Sequence, residues 1–243
     1  MRDYQKELER RTAFIRERLE AAHADGIVYG NSGGKDCTLA GALCKAACEN
    51  TVGIILPCTS SRNYGSDRDD ALAAAERFGI ETRTVDLSAA REAMLAALSP
   101  AAEIIPSAAA NIAPRLRMTA LYAVAGSENR LVCGTGNRSE RYMGYFTKWG
   151  DGACDFNPIA DLTVTEIYEF LSFLGAPRSI IEKAPSAGLF EGQTDEQEMG
   201  VRYADVDAVL TGGSVSPENA AIIARYHARS LHKLTMPPVF SAE

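Results

Sequence analysis

Between Gly30 and Thr38 the chain reads Gly30-Asn31-Ser32-Gly33-Gly34-Lys35-Asp36-Cys37-Thr38, a concentration of the groups that hold anions. It stands between a β-type run, Gly26-Ile27-Val28-Tyr29, and a helical pattern that starts at about Cys37. Backbone amides and a helix N-terminus therefore converge there, the arrangement that suits a phosphate. The paired glycines let a ligand approach the backbone, and Ser32 and Thr38 can donate hydroxyl bonds. Asp36, in the first helical turn, would repel phosphate unless a divalent cation lay between them, which implies Mg²⁺. The loop matches neither G-x-x-x-x-G-K-[ST] nor G-x-G-x-x-G, so a kinase or dehydrogenase reading loses support. A plain glycine turn capped by Asp36, with no ligand, is the alternative on the loop alone.

A second acid sits at a comparable place. Glu140 follows Gly134-Thr135-Gly136, which itself follows the β-type run Arg130-Leu131-Val132-Cys133. Carboxyl ends of parallel strands share one edge of a sheet, so Asp36 and Glu140 could hold one Mg²⁺ against a triphosphate. Seen in isolation, Glu140 reads as a solvated acid on a helix face.

The elements that would position these residues alternate. An opening helix from about Tyr4 to His23 is expected to cover a sheet edge or a partner. After the first strand and its helix come a strand from Thr51 to Leu56, a helix from about Asp67 to Phe78, a strand from Glu81 to Val85 and a helix from about Ala89 to Leu98. A helix from about Pro114 to Ser127 precedes the strand at 130–133. A Gly- and Asp-rich loop (Gly144 to Pro158) then leads to helices from about Thr163 to Leu174, Tyr203 to Leu210 and Pro217 to Leu234, with an irregular stretch around Pro185 to Gln193. Such alternation specifies an α/β fold with a doubly wound parallel sheet and a helical C-terminal portion. Neither repeats nor a long linker interrupt it, so residues 1–243 are expected to form a single domain.

Composition narrows the function. The 243 residues are 46% hydrophobic and 23% charged, with a formal charge of −7, which argues against a nucleic-acid binder and against a membrane protein. A core of this length buries roughly 70–75% of the unfolded chain's surface without disulfide staples. The six cysteines (Cys37, Cys44, Cys48, Cys58, Cys133 and Cys154) include no C-x-x-C pair and are accompanied by only three histidines, so a zinc site is disfavoured and reduced thiols in the cytoplasm are expected.

The S-G-G-x-D core resembles the pyrophosphate loop of the ATP pyrophosphatases. The second half is more specific. Gly134 to Glu140, Gly144-Tyr145-Phe146-Thr147-Lys148-Trp149-Gly150-Asp151-Gly152, Asp155 to Leu162, Lys183 to Leu189, Gly192 to Glu196, Asn111 to Met118 and His232-Lys233 resemble the ammonia-dependent NAD synthetases, from about Tyr4 to Pro238. The resemblance implies a Rossmann-like, adenine nucleotide alpha hydrolase-like fold. It implies amidation of deamido-NAD with ATP and ammonia through an acyl-adenylate, releasing AMP and pyrophosphate, and a homodimer whose site takes residues from both subunits. It places Ser32, Gly33, Gly34, Lys35, Asp36, Cys37, Thr38, Leu39, Thr135 and Ser186 at ATP, and Asp36 and Glu140 at Mg²⁺. Asn111, Arg115, Tyr145, Lys148, Asp151, His232 and Lys233 are implied for deamido-NAD. Taken singly, Tyr145 reads equally as core, Lys148 and Asp151 as a surface pair, and His232-Lys233 as a charged helix end.

Four positions depart from the family pattern. Cys37 stands for the loop's usual serine, Val164 for a lysine, Leu234 for an arginine and Pro114 for a small helix former. Lys35 could supply the cation that Val164 lacks. With the whole chain matched to the synthetase, free ammonia, or ammonia handed over by another protein, is the expected nitrogen source. Two other readings remain open at this point: an ATP pyrophosphatase acting on another substrate, and a nucleotide-binding regulator with little turnover.

Overall fold

The run Gly26–Gly30 forms β1, the central strand of the computed structural model, which describes residues 2–58, 64–183 and 195–241. Ile27, Val28 and Tyr29 are completely buried, as a strand covered on both faces requires. It pairs in parallel with β2 (Thr51–Ile55), which pairs in turn with β3 (Glu81–Thr84); on its other side lies β4 (Arg130–Val132). The order β3-β2-β1-β4 means that the chain reverses its direction of travel across the sheet between β1 and β4, and ligands collect at such a switch point. Asp36 and Glu140 stand in the first turns of the helices that follow those two strands.

Among the described residues the helices are α1 (Tyr4–Ala22), α2 (Lys35–Ala47), α3 (Ser66–Phe78), α4 (Ser88–Leu98), α5 (Pro106–Ala110), α6 (Ile112–Ser127), α7 (Arg138–Met143), α8 (Val164–Leu174), α9 (Arg178–Ile181), α10 (Asp195–Met199), α11 (Tyr203–Leu210) and α12 (Pro217–Ser230), with a 3-10 turn at Leu231–Lys233. Side-chain alternation along β1 divides the core. Ile27 and Tyr29 join Ile15, Leu39, Leu43, Ile167 and Phe170 from α1, α2 and α8, whereas Val28 joins Val52, Ile54 and the α6 face built on Ala113, Leu121 and Val124. A third cluster, Met143, Val164, Tyr203, Val206 and Ile223, welds α7, α8, α11 and α12 together beside the switch point.

The opening helix packs along α2, buries Ile15 against the β1 side chains Ile27 and Tyr29, and brings the Phe14 ring edge-on to Phe156 at 6.4 Å. It is pinned by Arg11, which is buried and donates to both oxygens of Asp161 at 2.6 and 2.9 Å. Several expected boundaries shift, α6 for instance starting at Ile112 rather than Pro114. The second helix starts at Lys35, because Gly34 is its N-cap; the last one ends at Ser230 and tightens into the 3-10 turn; and Cys133 leaves β4 to form a lone parallel bridge with Phe156. Pro114 falls in the first turn of α6, where its missing N–H costs nothing. The stretch from Pro185 to Gln193 lies outside the described residues. All six cysteines are free thiols, and no described helix is long and apolar enough to cross a membrane.

Candidate active site

The loop after β1 is held by Asn31. Its Nδ2 donates to the Ala71 carbonyl of α3 at 3.0 Å, and its Oδ1 accepts from the Gly33 amide at 3.3 Å. Gly33 has φ = +73°, and an added Cβ would collide with the Asp67 carbonyl oxygen, so only glycine fits. Gly34 caps α2 without any side-chain acceptor, which leaves the first amides of the helix to a ligand. Ser32 Oγ and Cys37 Sγ lie 3.2 Å apart. Burial pushes the Cys37 thiol above its ordinary pKa, so it stays neutral.

Asp36 and Glu140 come together as the sheet order requires. Asn137 joins them: its Nδ2 donates to Asp36 Oδ1 at 2.9 Å, and its backbone amide donates to Glu140 Oε2 at 3.2 Å in the capping box that starts α7. Lys35 Nζ sits between the remaining oxygens, 2.7 Å from Asp36 Oδ2 and 3.7 Å from Glu140 Oε1. Burial disfavours the Lys35 ammonium, but the two carboxylates outweigh it and hold its pKa above the usual lysine value. Burial, and then the charge of Asp36, push the Glu140 carboxyl well above its usual range. Two facing carboxylates that already hold one cation are a fitting donor set for Mg²⁺ completed by phosphate oxygens.

A cavity of about 840 Å³ opens from this point. That is ample for a nucleotide with a second substrate. Ser32, Gly34, Lys35, Asp36, Cys37, Thr135 and Glu140 line it, as do Asn111, Tyr145, Asp151, His232 and Lys233. Gly33, Thr38, Leu39, Arg115 and Lys148 do not. Thr38 donates its hydroxyl to the Gly34 carbonyl at 2.8 Å, and Leu39 is fully buried in the core. Arg115 is exposed, with Nη2 3.3 Å from the Lys148 carbonyl oxygen. Ser186 lies outside the described residues. Lys148 Nζ donates to the His232 carbonyl at 2.7 Å, while Lys233 Nζ donates to the Gly144 and Phe146 carbonyls at 2.7 and 2.8 Å. These two ammonium groups zip the Gly144 loop to the C-terminal turn. Gly144, at φ = +64°, leaves room for Ser230 against its backbone.

Cavity-lining groups that the sequence reading did not assign include Arg117 and Lys183. Arg117 lies two residues from Arg115 on α6, hence on a different side of the helix, and burial lowers its pKa. Lys183 Nζ is paired with Asp67 at 2.9 Å and Asp70 at 2.6 Å, tying the end of α9's loop to α3. Charge with an inward heading was the only available signal, and a heading needs the helix register.

A sequence profile of the NAD synthase family matches residues 7–237. The chain belongs to that family. An NH₃-dependent NAD⁺ synthetase of Carboxydothermus hydrogenoformans is 44% identical over 240 residues, 98% of each chain. Among solved structures, an NMN synthetase from Francisella tularensis superposes with a TM-score of 0.93 at 36% identity over all of both chains. An NH₃-dependent NAD synthetase from Campylobacter jejuni gives 0.81 at 29% identity, covering 99% of this chain and 100% of that one. The fold is thus that of the ATP pyrophosphatase-type NAD synthetases, and this NAD synthase-family chain is a ligase.

Within the family frame Cys37 is the departure closest to the phosphate loop. A thiol is a weaker donor than a hydroxyl, and a bond to a charged group is worth about 1.5–3 kcal/mol. Cys37→Ser is expected to retain activity and lower the KM for ATP by up to about tenfold, roughly 1.4 kcal/mol. Loss of activity in steady-state assays would show that the loop is rebuilt around the thiol. Val164 is buried in the third core cluster beside Tyr203, so its side chain serves packing.

Proposed function

We propose that this chain amidates the nicotinate carboxylate of deamido-NAD with ammonia and ATP, and that residues 1–243 act as one catalytic domain. The observation that carries the reading is the meeting of the phosphate loop with Asp36 and Glu140 at the mouth of one cavity, in a chain matched end to end by NH₃-dependent NAD⁺ synthetases. In the first step a substrate carboxylate oxygen attacks the α-phosphorus of ATP, the bond to the bridging oxygen breaks, and pyrophosphate leaves an acyl-adenylate. In the second, ammonia adds to the acyl carbon, loses a proton and displaces AMP. Ser32, Gly33 and Gly34, the first turn of α2, Thr135 and Ser186 would bind ATP. Asn111, Tyr145, Asp151, His232 and Lys233, which line the cavity, would frame the dinucleotide, and Arg115 and Lys148 would act from outside its wall. Asp36 and Glu140 would hold Mg²⁺, which neutralises the triphosphate and the departing pyrophosphate. The protein's own share is positioning and charge placement, so no side-chain nucleophile is needed.

Incubation with ATP, Mg²⁺, ammonium and deamido-NAD is expected to give NAD, AMP and pyrophosphate in equal amounts; ADP among the products would refute the scheme. Glutamine is expected to replace ammonium poorly, since burial keeps the cavity-lining Cys37 and Cys133 as neutral thiols.

The whole-chain superposition on an NMN synthetase favours a second reading, the same chemistry on the smaller deamido-NMN. Parallel assays of the two carboxylates decide between them: the physiological substrate is the one with the higher kcat/KM.

A homodimer belongs to the same reading. Helix α4 has no buried residue, and Val85, Met94 and Ile105 leave apolar surface open near it. Sedimentation at micromolar concentration is expected to give a dimer; a fully active monomer would exclude it.

A further inference from the structure

Asn137 and Lys35 divide the four carboxylate oxygens of Asp36 and Glu140 between them. Asn137 takes Asp36 Oδ1 and Glu140 Oε2, and the Lys35 ammonium faces Asp36 Oδ2 and Glu140 Oε1. The ammonium is thus placed where the two carboxylates would share a divalent cation. It is no surface charge: the Lys35 side chain is 7% exposed, lines the cavity wall and lies 5.7 Å from the centroid of the Tyr203 ring, whose hydroxyl donates to the buried Asp195 at 3.2 Å. A lysine held in this way blocks the pair but is tethered by a flexible stem, so it can swing toward an anion that enters the cavity.

We propose that Lys35 is a built-in counter-ion that keeps divalent metal out of the Asp36–Glu140 pair until ATP arrives, and that the nucleotide's phosphates then draw the ammonium off the carboxylates and admit the metal. Lys35 is on this account a positioning residue that makes metal loading depend on nucleotide. The inference rests on the reading of Asp36 and Glu140 as the cation site. Two cations cannot share these oxygens without strong repulsion, because burial leaves little water to screen them.

The test is Mn²⁺ binding to nucleotide-free protein, followed by the electron paramagnetic resonance signal of free Mn²⁺. Wild type is expected to bind weakly, and Lys35→Met at least tenfold more tightly. Lys35→Arg, which restores the cation, is expected to bind as weakly as wild type, and adding Asp36→Asn to Lys35→Met is expected to abolish the gain. Equal affinity in wild type and Lys35→Met, or a gain that survives Asp36→Asn, would overturn the inference while leaving the cation site standing. Absence of Mn²⁺ binding in Lys35→Met, with and without a non-hydrolysable ATP analogue, would remove the cation site itself and the inference with it. Should Lys35→Met fail to fold, anomalous scattering from wild-type crystals soaked in Mn²⁺ without nucleotide serves instead. No peak between Asp36 and Glu140 is expected, and a peak there overturns the inference.

Discussion

Asp36→Asn and Glu140→Gln are each expected to lower kcat by on the order of 10²–10³-fold, the loss typical when one group that stabilises transition-state charge is removed. The affinity for the amidated substrate is expected to change little, since the groups assigned to it line other parts of the cavity. Both substitutions keep shape. Glutamine at position 140 can still cap α7 through Asn137, because a capping box accepts Glu or Gln at its third position. An asparagine at position 36 can still accept from Asn137 while presenting an amide to Lys35, so one attractive contact is lost and the fold is retained. The measurement is steady-state kinetics over a range of Mg²⁺, with substrate binding followed separately by calorimetry. If both variants matched wild type at low Mg²⁺, neither carboxylate would be a metal ligand.

Strands β1 and β2 were legible because a doubly covered strand leaves a direct trace: Ile27-Val28-Tyr29 and Val52 to Ile55 are nearly unbroken apolar runs next to glycine or helix ends. The long helices announced themselves by their period and their caps. Helices α5, α7, α9 and α10 run for four to six residues, too short for a period to register, although the Asn137 and Glu140 spacing of a capping box was available for α7. The convergence of Asp36 with Glu140 followed from strand ends alone. What joins them did not. Lys35 and Asn137 act through side-chain headings that tertiary packing fixes, and nothing in the spacing of residues 35, 137 and 140 shows that an ammonium fills the gap. The same limit separates Arg115 from Arg117, since two residues of helix turn one outward and the other into the cavity. Lys148 and Lys233 show it again: taken singly in sequence, one reads as a surface pair with Asp151 and the other as part of a charged helix end, yet each is bound to carbonyls 84 to 89 residues away along the chain.

The second large effect is expected at Gly33. Gly33→Ala would place a side chain at φ = +73°, a conformation that costs a non-glycine residue of order 1–3 kcal/mol. The new methyl would also meet the Asp67 carbonyl oxygen and lie 2.8 Å from the Ala71 amide nitrogen. Both are backbone atoms of α3, so relief requires the helix to move rather than a side chain to turn. That helix cannot shift alone, because Asn31 holds the Ala71 carbonyl and Lys183 holds Asp67 and Asp70. Strain and displacement together are expected to cost about 2–3 kcal/mol, a fall in Tm of roughly 4–12 °C for a domain of this size. The loop's amides would lose their common aim, and ATP binding is expected to fall more than tenfold. Gly34→Ala is the control: Gly34 has φ = −83°, and its nearest neighbour is the Ser32 hydroxyl oxygen at 3.3 Å, the tip of a side chain that can rotate. It is expected to leave Tm within about 2 °C of wild type, the ordinary range for a substitution without strain. Thermal melts and ATP titrations on the two variants separate a loop that needs one particular backbone conformation from one that merely prefers small residues. A Gly33→Ala protein with wild-type Tm and ATP affinity would show that α3 and the loop are not locked together as described.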